Sequence, residues 1–122
     1  MPWKRVPEEN EALLERVMAS YPDTERRNMF GCPVYFVGGN LCIGCHEENF
    51  ILRIPQAEQE AFLAHPAVTH FTPVAGRPMR EYLLLPPIIH QDETLFREWI
   101  AHSVAYVRSL PPPVKKPRKK FR

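Results

Sequence analysis

With 122 residues the chain has the size of one domain and enough length to bury a core. Its 44% hydrophobic and 25% charged residues are those of an ordinary globular protein, and the absence of a long apolar run excludes a helical membrane protein. The net charge of +2 conceals a split: Lys115, Lys116, Arg118, Lys119, Lys120 and Arg122 leave ten basic side chains against fourteen acids over residues 1–114, a balance of −4.

The chain opens Met1-Pro2-Trp3-Lys4-Arg5 and runs into acidic residues, without the apolar stretch of a secretory leader, so a soluble cytoplasmic protein is expected. Glu9 to Tyr21 is predicted as the first helix. Pro7 precedes it, Glu8, Glu9 and Glu11 suit its positive end, and Leu13, Leu14, Val17, Met18 and Tyr21 form one stripe. Pro22-Asp23 stops it. Val34-Tyr35-Phe36-Val37, Leu41-Cys42-Ile43 and Phe50-Ile51-Leu52-Arg53-Ile54 then read as three antiparallel strands in a meander. Gly38-Gly39-Asn40 supplies the first turn and Glu47-Glu48-Asn49 the second.

Pro55 to Ala64 is predicted as a short helix between Pro55 and Pro66. A short strand near His70-Phe71 and a turn at Gly76-Arg77-Pro78 lead to a strand over Arg80 to Leu85, ended by Pro86-Pro87. The last helix runs from an N-cap at Asp92 to Leu110. Phe96, Ile100, Val104 and Val107 form its stripe, widened by Leu95, Trp99 and Tyr106. Pro111-Pro112-Pro113 ends that helix, and residues 111–122 have almost no apolar content, so they are expected to form a disordered extension to a domain over 1–110. This order of elements implies an α+β fold of two layers with a mainly antiparallel sheet. Helices on one face only would leave the other for solvent or a partner, and a homodimer is one expectation.

Met29-Phe30-Gly31, Tyr35-Phe36, Gly39-Asn40-Leu41, Leu52-Arg53, and Gly76-Arg77-Pro78-Met79-Arg80-Glu81-Tyr82 with Pro86 occur in the order and spacing of the TfoX N-terminal domain. The sequence resembles that family, which includes the TfoX/Sxy regulators of bacterial natural competence, from about Leu13 to Leu110. The resemblance implies a two-layer fold, a bacterial cytoplasmic setting and a role in transcription regulation beside the cyclic-AMP receptor protein. It carries over no catalytic or ligand residues. Competence regulators of full length have a second, helical domain, so the resemblance is to a stand-alone version.

Cys42-Ile43-Gly44-Cys45-His46 matches the C-x-x-C-H pattern of covalent haem attachment. On a strand the pattern cannot converge. Cys42 and His46 would share one face about 13 Å apart, with Cys45 on the opposite face beside Leu41 and Ile43. Adding Cys32 makes a Cys₃His set for zinc, opposed by the same geometry. A redox pair would need its first cysteine at a helix N-terminus, where none is predicted. The expected state is three reduced thiols in ordinary strand positions and no cofactor, with a metal or redox protein using Cys42, Cys45 and His46 as the alternative.

Nothing in the sequence has the pattern of a phosphate loop, a nucleophile with its base, or paired catalytic acids. His65, His70, His90 and His102 are scattered, so the protein is expected not to be an enzyme. Arg26-Arg27 with Arg77 and Arg80 form a candidate anion site if the fold brings them together. The six tail cations have two readings of equal standing and a lesser third, an acidic membrane or protein surface. They can neutralise nucleic-acid phosphates, without a means of reading sequence, or they can serve only as a solubilising terminus. The expected function is a regulatory module that binds a transcription-related protein partner, with nucleic acid held by the tail and no membrane contact.

Overall fold

The computed structural model describes residues 6–29, 32–74 and 77–112. Helix α1 (Glu8–Met18) leads into the strands β1 (Thr24–Met29), β2 (Cys32–Val37), β3 (Asn40–His46) and β4 (Asn49–Arg53). A 3-10 turn (Gln56–Glu58) and α2 (Gln59–Leu63) follow. Then come β5 (Thr69–Val74), β6 (Arg77–Leu85), a one-turn helix α3 (Pro87–His90) and α4 (Glu93–Ser109). The strands form one antiparallel sheet in the order β1-β2-β3-β4-β6-β5. The fold is α+β, as the sequence implies.

Both predicted hairpin turns form. Gly38 and Gly39 have φ of 57° and 86°, the left-handed region that glycine enters without penalty. Glu47, at φ 53°, makes the second turn without a glycine. Helix α1 ends earlier than its apolar stripe. Ser20 and Tyr21 donate to Val17 and Met18 in i→i−3 bonds, tightening the last turn before Pro22. Asp92 caps α4 by accepting from the Leu95 amide at 3.2 Å.

Two elements escape the sequence reading. Strand β1 reads Thr-Glu-Arg-Arg-Asn-Met and has no apolar alternation; it is an edge strand, and Glu25, Arg26, Arg27 and Asn28 are exposed. Helix α3 is one turn long, too short for a periodicity to register.

Cross-strand partners share a face, so the register sorts the sheet into two sides. Tyr35, Ile43, Leu52 and Leu83 form a row, and with Cys45, Phe50 and Leu85 they meet the helices. Leu14 and Val17 of α1, Phe62 of α2, Ile89 of α3 and Phe96, Ile100 and Val104 of α4 complete this core. Val34, Gly44, Ile51 and Leu84 form the adjacent row on the other side. Val34 and Ile51 are nevertheless only 3% and 8% exposed. The sheet curls over them: the rings of His46 on β3 and Phe71 on β5 lie 4.9 Å apart, although β4 and β6 stand between their strands. In a flat sheet those strands would be about 14 Å apart.

Candidate functional site

The three cysteines are all buried. A bulge in β3 changes their expected placement. Tyr35 pairs with Ile43 and Phe36 with Leu41, so Cys42 is an extra residue in the ladder. The extra residue turns Cys42 to the helix side, where its Sγ lies 3.3 Å from the Ser103 hydroxyl of α4. Cys42, Ile43 and Cys45 therefore share the core side, and the face assigned to Cys42 by simple alternation is corrected. His46 pairs with Asn49 one position beyond the Cys45–Phe50 pair, which places it on the far side of the sheet.

The C-x-x-C-H residues thus do not converge on one cofactor. Among the described residues, no three His, Cys, Asp or Glu side chains gather in a way that could hold a metal ion. Burial pushes the Cys42 thiol up to about 11, with the Ser103 hydrogen bond acting in the opposite direction. It pushes Cys45 up to about 12, reinforced by the neighbouring Cys32, and it raises Cys32 as well. Nucleophilic and redox chemistry need the thiolate, and this surrounding suppresses it. Among the described residues, the convergence of Cys42, Cys45 and His46 that a shared metal would need is not found.

The arginines do not assemble either. Arg26 and Arg27 are successive residues of β1 and point to opposite sides. On the helix side Arg26 meets Glu11 at 2.8 Å and Glu15 at 3.1 Å on α1. Arg27 pairs with Glu25 at 3.1 Å and lies 4.7 Å over the Phe36 ring. Arg77 and Arg80 belong to β6, with β2, β3 and β4 standing between them and β1. The proposed anion site is not formed by this fold.

The structure instead brings together residues whose proximity no local pattern announces. Arg53 Nε donates to Glu81 Oε1 at 2.8 Å, and the Tyr106 hydroxyl donates to Glu81 Oε2 at 2.7 Å. One carboxylate so ties β4, β6 and α4. The Arg53 guanidinium also lies 5.5 Å from the centre of the Tyr82 ring. The only available signal was the resemblance motif holding Arg53, Glu81 and Tyr82, which does not say that they meet.

A second clamp holds the β3–β4 turn. The Glu48 carbonyl accepts from Asn10 Nδ2 of α1 at 2.9 Å and from His90 Nε2 of α3 at 2.9 Å. His90 must carry its proton on Nε2, since a carbonyl only accepts. It is 3% exposed and packs edge-on to Phe50, and this burial lowers its pKa below the ordinary histidine value.

Gln59 makes a third clamp. Its Nε2 donates to the Ile54 and Arg80 carbonyls at 2.9 and 2.6 Å, and its Oε1 lies 2.9 Å from His70 Nε2. His102 on α4 pairs with Glu58 across a shallow groove floored by Phe62. His65 accepts from the Ala67 amide at 3.2 Å through Nδ1. His70, His90 and His102 join elements, and His65 bonds within its own loop.

The six tail cations lie outside the described residues. The root of the tail is held, because Asn40 Nδ2 donates to the Pro111 carbonyl at 3.1 Å beside the Gly38-Gly39 turn. Among the described residues no helix is long and apolar enough to cross a membrane. A family model, the TfoX N-terminal domain, matches residues 16–106. No curated protein and no solved structure matches the chain.

Proposed function

Since the chain belongs to the TfoX N-terminal domain family, we propose that it is a competence-regulator-like, non-enzymatic module of bacterial transcription control, acting in the cytoplasm. Its acidic domain binds a protein partner, and its basic tail holds nearby nucleic acid. The observation that carries the nucleic-acid half is the charge split. Six cations fall within residues 115–122, against a balance of −4 over residues 1–114. Closely spaced cations neutralise phosphates and release their counterions, and this needs no folded recognition surface. Such contacts supply affinity without sequence preference, so specificity falls to the partner.

Fluorescence anisotropy of a labelled DNA duplex, at low and near-physiological salt, tests this reading. The full chain is expected to bind with log K falling against log salt at a slope of about −5 if all six cations engage. A chain ending at Leu110 is expected to lose that binding. Equal binding by the two chains, or none by either, would refute the nucleic-acid role.

A further inference from the structure

We propose that two copies of this chain pair through their β1 edges, in one antiparallel register centred on Arg26, to make a continuous twelve-stranded sheet. This goes beyond the functional reading above and does not depend on it. The sheet has two edges, β1 and β5. Edge strands ordinarily carry devices that block pairing: bulges, prolines or unpaired charges. Strand β5 has such devices, with register irregularities at His70/Phe71 and Phe71/Val74 and a proline at position 73. Strand β1 pairs with β2 without a register shift from Thr24 to Met29 and contains neither proline nor glycine. Glu25, Arg26, Arg27 and Asn28 are exposed along it.

The charges on β1 look like the missing protection, yet their order suits a second copy. A two-fold axis perpendicular to the sheet keeps both helix layers on one face, so residues of the same parity must stand opposite one another. Four such registers are centred on an interior residue of the strand, and the one on Asn28 makes no charge pair at all. Centred on Glu25, the pairing opposes two carboxylates. Centred on Arg27, it opposes two guanidinium groups whose anionic partner among the described residues is Glu25 of their own strand. Centred on Arg26, it sets Glu25 against the second copy's Arg27 twice, once on each side of the axis.

The residue on the axis is then Arg26, and its charge is already answered. Glu11 and Glu15 of the same chain hold it on the helix side at 2.8 and 3.1 Å. Opposite charges directly across antiparallel strands stabilise the pair and like charges destabilise it, so this register is favoured over its neighbours.

Sedimentation equilibrium of the full chain at about 100 μM tests the proposal, a concentration suited to a modest interface. The expected mass is twice the 14.2 kDa of one chain. Arg27→Glu and Glu25→Arg each turn both cross-strand pairs into like-charge pairs. Each should weaken the dimer by about ten- to a hundred-fold. Mixing the two variants in equal amounts should restore it, because each supplies the charges that the other lacks. Charge disruption within one strand could not be repaired by that mixing.

Far-UV circular dichroism checks that both variants fold. Amide exchange of wild-type residues 24–28, slower at high than at low concentration, provides a readout that needs no substitution. A monomeric wild type, dimeric single variants, a mixture that stays monomeric, or exchange independent of concentration would each overturn the β1 interface.

Discussion

Replacing Gly44 by alanine tests the two-sided register of the sheet at its tightest point. Gly44 stands opposite Val34 on β2 and Ile51 on β4. A Cβ at this position would lie 2.5 Å from Val34 Cγ1 and 3.2 Å from Val34 Cβ. Carbon atoms pack at about 3.5–4.0 Å, so roughly 1 Å of space must open. Val34 is 3% exposed and β-branched, which restricts the rotamers it could swing into. Overpacking of this kind costs about 1–3 kcal/mol, offset by about 0.5–1 kcal/mol from the smaller backbone entropy of alanine in the unfolded chain. The net expectation is a loss of roughly 1–2 kcal/mol, or a fall of about 4–10 °C in Tm for a domain of this size.

Val34→Ala alone should cost about 2 kcal/mol through two lost methyl groups and the cavity they leave. In the double variant the alanine methyl at position 44 enters that cavity. Its loss should fall short of the sum of the single losses by about 1 kcal/mol or more. Urea unfolding followed by circular dichroism and by tryptophan fluorescence, with Trp99 packed on Phe62 as reporter, measures all three. A Gly44→Ala protein as stable as wild type, or strictly additive losses, would refute the packing derived for this face.

Three further outcomes are expected. Because burial lowers the pKa of His90 in the folded state, the unfolded chain binds the more protons. Stability should therefore be full above about pH 6.5 and be lost as pH falls toward the depressed folded value. His90→Gln keeps a donor for the Glu48 carbonyl without titrating, and its urea midpoint should change less between about pH 7.5 and 5; equal pH dependence would remove His90 as the cause. Cys42 and Cys45, raised to about 11 and 12, should resist iodoacetamide in the native protein and react in urea, as mass spectrometry would show. Rapid native labelling of either would contradict their burial. Tyr106→Phe should cost about 0.5–1.5 kcal/mol by removing the donor to Glu81, with little further loss in a Glu81→Gln background. Independent, additive effects would show that the clamp does not act as a unit.

The long helices are legible because their apolar residues recur at helical spacing and prolines bound them. The meander is legible because Gly38-Gly39 and Glu47-Glu48 interrupt apolar runs. Strand β1 is not legible by those means. Its neighbours satisfy it instead, Arg26 through two carboxylates of α1 and Arg27 through Glu25 and the Phe36 ring. The β3 bulge is invisible for another reason: one extra residue changes which face Cys42 occupies without changing any residue type. The absence of a converged C-x-x-C-H site follows from strand geometry, yet the placement of each member depended on a register that local sequence does not encode. The Arg53–Glu81–Tyr106 clamp joins residues 28 and 25 positions apart, too far for any periodic signal.

Several of the described residues that carry the family resemblance can be followed to their roles in the fold. Gly39 makes a turn, Asn40 holds the Pro111 carbonyl, and Leu52 is core. Arg53 and Glu81 lock two strands to α4 through Tyr106. The Pro86 carbonyl accepts from the amides of Ile89 and His90 as α3 begins. Each of these residues maintains the scaffold, and none presents a reactive group to solvent. A match built on such residues identifies the architecture strongly. The matched segment ends at residue 106, so the six-cation tail falls outside it. Asn40 fixes where that tail departs, beside the β2–β3 turn. Through that bond the family scaffold anchors the start of the segment that follows α4.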